Sequence, residues 1–216
     1  MDQRMREAVR YLGYGKNAVD DQTLRLIAES FERLRSVAGR KSVYRIFDLE
    51  QPDAETVRFG SLSVKSRNLG KNLWGCDKIV LFGATLGIGV DQLLSRTSKT
   101  DMALTVVLQA CAAALLEEYC DACQEEIRAE LKAEGRYLRP RFSPGYGDFP
   151  MECQKELTQM LDCARRIGLT VTESLMMVPS KSVTAVIGAG TLPVHCHVQG
   201  CEACEKTDCI YRRDTL

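Results

Sequence analysis

KIVLF, residues 78–82, is a continuous apolar run of the length of a β-strand, and GATLGIG, residues 83–89, follows it directly. A short apolar run bounded by turn residues is typical of a strand that is buried on both faces. A helix-like pattern begins at Asp91. We therefore predict a buried strand over residues 78–82, a glycine-rich turn over residues 83–89 and a helix after that turn.

Four other segments have the composition of strands, since they are short and rich in β-branched or aromatic residues. They are residues 42–49, 56–59, 62–64 and 182–187. The turn formers Gly60-Ser61 separate the second segment from the third, which predicts a hairpin. Strands and helices alternate without a regular βαβ rhythm, which favours an α+β fold over a doubly wound one.

Apolar residues at helical spacing predict three further helices. The first runs from Asp20 to Gly39, and the second from Asp101 to about Gly135. The first half of the second helix is apolar nearly all round, so we expect it to be buried. The third ends at Gly168 and has Leu157, Met160, Leu161 and Ala164 on its apolar side.

These elements predict an α+β fold with a mixed or antiparallel sheet flanked by helices. A chain of 216 residues is long enough for one sizeable core. We predict one domain over residues 1–194 and a Cys-rich C-terminal tail over residues 195–216.

The charge balance bears on possible partners. The chain has 29 Lys plus Arg and 29 Asp plus Glu, so no net field attracts nucleic acid or an anionic membrane surface. We count no apolar run of the ~18–20 residues that a membrane-spanning helix needs, and MDQR, residues 1–4, lacks the apolar segment of a secretory signal. We expect a cytoplasmic protein that binds neither nucleic acid nor a membrane.

The segment Arg139–Pro150 contains three prolines and two glycines, which predicts an extended and turned backbone. Arg141 offers a fork of donors that suits a carboxylate, and Tyr146 offers a flat face with a hydroxyl group. Gly145 permits close approach of the backbone to a ligand. The segment suits an amino-acid-like or nucleoside-like ligand, and a stiff surface connection is the alternative interpretation.

Two stretches resemble the activation domain of cobalamin-dependent methionine synthases. RFSPGY, residues 141–146, is similar to the family's Arg-Pro-Ala-Pro-Gly-Tyr, with Ser143 in place of Ala. VTES, residues 171–174, is followed by Val178-Pro179 and Ser182-Val183 at the spacing of the family's second stretch. The resemblance covers residues 100–190, and the first hundred residues match a shorter, free-standing version of the family in outline.

The resemblance implies an S-adenosylmethionine site. Arg141 would bind the ligand's carboxylate, and Glu117 or Glu118 its amino group. Tyr146, Gly145 and the backbone near Ser143 would lie on the sulfonium and ribose side.

Two departures from the family bear on that site. Val186-Ile187 replace the family's aromatic pair. The family's Asp-Trp-x-Pro-Phe-Phe motif has no clear counterpart, and Asp48 is the candidate for its aspartate.

The implied function is to support reductive methylation, and so reactivation, of cobalamin on a methionine synthase or another corrinoid methyltransferase. The reaction would take place at the partner's cobalt, so we predict no catalytic side chain in this chain. Both histidines, His195 and His197, lie in the tail, so the main domain lacks a Ser-His or Cys-His pair. The alternative is a non-catalytic, metal-binding interaction module of a corrinoid protein system.

The tail carries Cys196, Cys201, Cys204 and Cys209. Four thiolates in so short a segment can converge on one metal, and the spacing suits an iron–sulfur cluster or a four-thiolate zinc site. Idle, reduced thiols are the other interpretation. We predict a metal or cluster held by these four cysteines.

Overall fold

The computed structural model describes residues 2–14 and 17–193. The tail and its four predicted metal ligands lie outside these residues. The elements are α1 (Gln3–Tyr11), α2 (Asp21–Val37), β1 (Lys41–Asp48), β2 (Thr56–Phe59), β3 (Leu62–Lys65), α3 (Arg67–Leu73), β4 (Lys78–Thr85), α4 (Ile88–Thr97), α5 (Met102–Ala133), β5 (Tyr137–Leu138), α6 (Cys153–Met160), α7 (Cys163–Ile167), β6 (Thr170–Val171), β7 (Met177–Val178) and β8 (Ser182–Gly190).

Contacts within the described residues cluster into two compact units. The helical unit comprises the residues up to Arg40 together with Leu86–Tyr119, and the sheet unit comprises Lys41–Thr85 together with residues from Cys120 onward. Helix α5 therefore contributes its first part to the helical unit and its second part to the sheet unit. The predicted single domain over residues 1–194 stays a prediction.

The sheet unit is built on four antiparallel strands in the order β1-β4-β8-β5. Strand β4 contains the KIVLF run and lies between β1 and β8, so the apolar run is buried as predicted. The α+β class with an antiparallel sheet is confirmed. The hairpin of β2 and β3 is also confirmed, and its Phe59, Leu62 and Val64 belong to the unit's core.

The predicted turn over residues 83–89 is wrong at both ends, because β4 continues to Thr85 and α4 already begins at Ile88. Gly83 pairs with Val43 on one side and Thr184 on the other. A Cβ atom on Gly83 would lie 3.3 Å from the sulfur of Cys163, which shows how closely α7 covers this strand. Gly83 therefore serves close packing in the middle of a sheet and does not form a turn.

The predicted helix that ends at Gly168 is broken in two. Asp162 adopts a left-handed conformation with a φ of 52°, which separates α6 from α7. Leu157 and Leu161 are buried and Met160 is half-buried, but Ala164 is exposed, so its predicted place on the apolar side is wrong. The break rotates the second segment away from the periodicity of the first.

In the helical unit, Asp20 caps α2 by accepting a hydrogen bond from the Thr23 N–H at 2.9 Å. Asp101 caps α5 in the same way through the Leu104 N–H, also at 2.9 Å. Both helix starts were predicted from these aspartates. The first part of α5 is largely buried from Val107 onward, and its exposed residues include Met102 and Val106, which are 63% and 54% exposed.

By length and composition, α5 is long and apolar enough to span a membrane. The search of the sequence for a continuous apolar run did not identify it. The most apolar window of α5 is 61% buried inside the protein. Core helices of globular proteins combine the same length and composition, so this feature alone assigns no membrane role.

Candidate functional site

The segment Arg139–Pro150, here called the site loop, begins along the sheet. The Arg139 N–H donates to the carbonyl oxygen of Gly188 at 2.8 Å. Phe142 and Val186 then exchange two backbone hydrogen bonds, each 2.9 Å long. The first part of the loop therefore continues the pairing of β5 along the same edge of β8, and these hydrogen bonds fix the position of its backbone.

The middle of the site loop is a tight turn closed by its own backbone. The Tyr146 N–H donates to the Ser143 carbonyl oxygen at 3.1 Å, and the Gly145 N–H to that of Phe149 at 2.8 Å. Gly145 has a φ of +89°, and a Cβ atom there would lie 2.5 Å from Cε of Met151. This position therefore favours glycine for its conformation, whereas the flexible end of Met151 could move aside.

The turn leaves Tyr146 on the surface. Its side chain is 67% exposed, and its ring centroid lies 6.4 Å from that of Phe142. Phe142 in turn stacks on the buried Phe149 at 6.3 Å. A row of aromatic rings thus leads from the core to an exposed hydroxyl and ring face, which is the arrangement expected of a stacking surface.

The far end of the site loop is tied to α3 by Asp148. Its carboxylate accepts hydrogen bonds from the Arg67 N–H at 2.8 Å, the Asn68 N–H at 3.0 Å and the Ser66 hydroxyl group. The bond from Ser66 is the largest influence that holds the pKa of Asp148 below its usual range. Asp148 thus acts as a second cap of α3 beside the N-cap Ser66, a role that sequence analysis missed.

The guanidinium group of Arg141 is held by two side chains on the second part of α5. Nη2 donates to Oδ1 of Asp121 at 2.7 Å, and Nη1 donates to Oε1 of Gln124 at 2.9 Å. The Arg141 side chain is only 18% exposed. Arg141, Ser143, Gly145 and Tyr146 thus lie in one loop, which Asp121 and Gln124 contact from α5. The ligand-binding roles predicted for the four loop residues stay predictions.

The acidic candidates lie elsewhere in the chain. Glu117 belongs to the helical unit, where it is half-buried. Burial is the larger cause that raises the pKa of Tyr11, and the nearby Glu117 carboxylate is the second. Glu118 is an exposed ion-pair partner of Arg4 at 3.5 Å. The predicted role of Glu117 in binding the ligand's amino group stays a prediction.

Asp48, the candidate for the family's motif aspartate, lies at the end of β1 and pairs with Lys78. Strands β4 and β8 separate β1 from the backbone of Phe142. The Asp48 side chain is 85% exposed. Within the sheet unit, Asp48 therefore does not converge with the site loop.

The described cysteines are structural in character. Cys111, Cys120, Cys123, Cys153 and Cys163 are buried, and Cys76 is half-buried. Burial raises the pKa of Cys111 to about 12, and burial with the neighbouring Asp162 raises that of Cys163 to about 12. Such thiols are poor nucleophiles. Among residues 2–14 and 17–193, no three His, Cys, Asp or Glu side chains converge as metal ligands.

A depression of about 410 Å³ lies elsewhere on the sheet unit, beside the junction of α6 and α7. Its lining residues include Lys155, Gln159 and Asp162, but none from the site loop. The site loop itself presents a guanidinium group, an aromatic hydroxyl and main-chain groups. This set of groups can bind and orient a ligand.

Comparisons with known proteins bear on what this loop does. A family model described as "Vitamin B12 dependent methionine synthase, activation domain" matches residues 68–213, a range that includes the site loop and the tail cysteines. The fold is similar to a solved structure described as "Crystal Structure of the MetH Reactivation Domain bound to AdoHcy". That similarity has a TM-score of 0.61 and 16% sequence identity, and it covers 85% of this chain and 75% of the other. No curated protein matches this chain.

Proposed function

Because this chain belongs to the family of vitamin B12-dependent methionine synthase activation domains, we propose that it binds S-adenosylmethionine. We propose further that it supports reductive methylation of cobalamin on a methionine synthase or related corrinoid methyltransferase. The solved neighbour is described as bound to AdoHcy, which is S-adenosylmethionine without its transferable methyl group. The observation that carries the proposal is the ordered site loop, which presents Arg141 and Tyr146 from a fixed backbone.

Each proposed role follows from the chemistry of a side chain in that loop. Arg141 binds the carboxylate, since a guanidinium group forms charge-assisted hydrogen bonds with it. Tyr146 offers its exposed ring and hydroxyl to the nucleoside side. Gly145 lets the ligand approach the main chain near Ser143.

The chemistry itself belongs to the two bound molecules. When bound, S-adenosylmethionine would supply the methyl group and leave as S-adenosylhomocysteine, and the cobalt of the partner's cobalamin would accept the methyl group after reduction by a one-electron donor protein. This chain contributes binding and orientation, which lower the entropic part of the barrier. That role needs no nucleophilic side chain in the sheet unit.

Calorimetric titration of the purified protein with S-adenosylmethionine tests the proposal. We expect saturable binding by the wild type and a loss of at least about tenfold in affinity for Arg141→Ala, since a charge-assisted contact is removed. Arg128→Ala is the matched control. Like Arg141, Arg128 pairs with an exposed carboxylate on α5, in this case that of Glu125. Absence of binding by folded wild type, or equal binding by Arg141→Ala, would contradict the proposal.

The metal-binding interaction module is the alternative function. Two observations favour it: Arg141 already pairs with Asp121, and Val186 and Ile187, which replace the family's aromatic pair, are fully buried.

In either function, we propose that Cys196, Cys201, Cys204 and Cys209 bind an iron–sulfur cluster or zinc. Metal analysis after anaerobic reconstitution, with Cys201→Ser against Cys76→Ser as control, tests this. Equal metal content in the two variants, or none in the wild type, would contradict it.

A further inference from the structure

The two partners of Arg141 differ in burial and in charge. Asp121 is charged, and its side chain is 61% exposed to solvent. Gln124 is neutral, and only 8% of the residue is exposed. Both lie on the same helix, three residues apart, and each receives one hydrogen bond from the guanidinium group.

These differences determine which contact exchanges easily. The Asp121 carboxylate is exposed, so water solvates it once it separates from Arg141, and a pair with such an exposed partner contributes little net stability. A buried amide that loses its hydrogen-bond partner leaves an unsatisfied polar group, which is costly. The bond to Gln124 is therefore the persistent one, and the bond to Asp121 is the one that another carboxylate can replace.

The difference in charge has a second consequence. Gln124 orients the guanidinium group without neutralising it, so the full charge of Arg141 remains available to an incoming anion. Asp121 places a carboxylate on Nη2, which is part of the edge that a bidentate carboxylate ligand uses. A ligand's carboxylate must displace Asp121 or share the guanidinium group with it, against like-charge repulsion.

We propose that Gln124 is the positioning residue of Arg141 and that Asp121 is an exchangeable internal carboxylate, which a ligand's carboxylate replaces. This inference rests on the proposed function of the site loop. It makes Asp121 a determinant of specificity, since only ligands with a carboxylate compete with it. The two residues have opposite effects on the preference for such ligands.

The experiment compares two ligands that differ by one group. S-adenosylmethionine and its decarboxylated form, in which the carboxylate is replaced by hydrogen, are titrated into the same preparations by calorimetry. The readout is the ratio of their affinities, with preference for the carboxylate counted as positive. A partly unfolded preparation changes both affinities equally, so the ratio reports on the site alone.

We expect Asp121→Asn to raise this ratio about fivefold, which is the upper range for losing an exposed ion pair. We expect Gln124→Met to lower it about tenfold, because the guanidinium group loses its hydrogen bond to the buried amide that orients it. Glu125→Gln is the control, since Glu125 is an exposed carboxylate of α5 that pairs with Arg128 instead. It should leave the ratio unchanged within about twofold.

Each outcome bears on one hypothesis. If the wild type binds S-adenosylmethionine but Asp121→Asn leaves or lowers the ratio, the exchange inference is wrong and the proposed function stands. If Gln124→Met leaves the ratio unchanged, the positioning role of Gln124 is wrong. If neither the wild type nor any variant binds either ligand, the proposed function fails and this inference fails with it.

Discussion

The two ends of the site loop are held in different ways. At Asp148, a carboxylate of the loop accepts hydrogen bonds from two main-chain N–H groups and a hydroxyl group at the start of α3. At Arg141, a side chain of the loop donates to two other side chains on α5. At the first end, a side chain of the loop binds backbone. At the second end, β8 holds the backbone of Arg139 and Phe142, and the Arg141 side chain contacts other side chains, which are movable groups.

This difference separates support from recognition. Main-chain donors at a helix start have fixed positions and an unmet need for acceptors, so they hold the loop in one conformation. Side-chain partners can change rotamer, so a ligand can replace them. The contacts of Asp148 and the backbone pairing of Phe142 with Val186 keep the turn at Gly145 and Tyr146 in place, while the Arg141 side chain remains able to exchange Asp121 for a ligand's carboxylate.

The largest expected effect comes from displacing the helix to which the loop is anchored. A Cβ atom on Gly70 of α3 would lie 2.3 Å from the carbonyl oxygen of Ala54, which is backbone and cannot easily move. We expect Gly70→Ala to lower the free energy of unfolding by about 3 kcal/mol, measured by denaturant titration. Gly39→Ala is the control, because nothing lies within 4 Å of its Cβ position, and its change should stay below about 1 kcal/mol. Equal effects would show that the position of α3 is not fixed as described.

An intermediate effect is expected at the anchor itself. Asp148→Asn should cost about 1 kcal/mol at pH 7, as for other lost helix caps. The pKa of Asp148 is lowered in the folded state, chiefly by the Ser66 hydrogen bond, so its contribution is present above the unfolded pKa of about 3.9 and is lost as the pH falls through the folded value.

The pH dependence of that difference supplies the measurement. The stability difference between wild type and Asp148→Asn should be constant from pH 7 to about pH 5 and should shrink below about pH 4. Other carboxyl groups with lowered pKa values, such as Asp77 and Asp53, are present in both proteins and cancel. A stability difference that is independent of pH would show that the charge of Asp148 does not contribute to holding the loop.

The elements that sequence analysis predicted correctly are those with local signals. The KIVLF strand, the hairpin and the starts of α2 and α5 each depend on residues within a few positions of one another. The turned backbone of the site loop follows in the same way from its prolines and glycines. The break at Asp162 was missed because a left-handed aspartate leaves no mark comparable to glycine.

The contacts that define the site are not local. Asp148 is 82 residues from Ser66, and Arg141 is 20 residues from Asp121. In the sequence, Asp121 and Gln124 lie in the charged half of α5 and resemble any solvated helix surface. Only the packing of the loop against α5 distinguishes them, and that depends on the whole sheet unit.

The smallest expected effect lies at the exchangeable end. Asp121→Ala should change the free energy of unfolding by less than about 0.5 kcal/mol, because the Asp121 side chain is 61% exposed and alanine favours a helix. A double-mutant cycle with Arg141→Ala, followed by denaturant titration, should give a coupling energy below about 1 kcal/mol. A coupling clearly above that value would make Asp121 a fixed partner of Arg141, as the start of α3 is of Asp148. A small coupling, beside a measurable cost at Asp148, would mean that the loop backbone keeps its shape while the Arg141 side chain remains able to exchange Asp121 for a ligand's carboxylate.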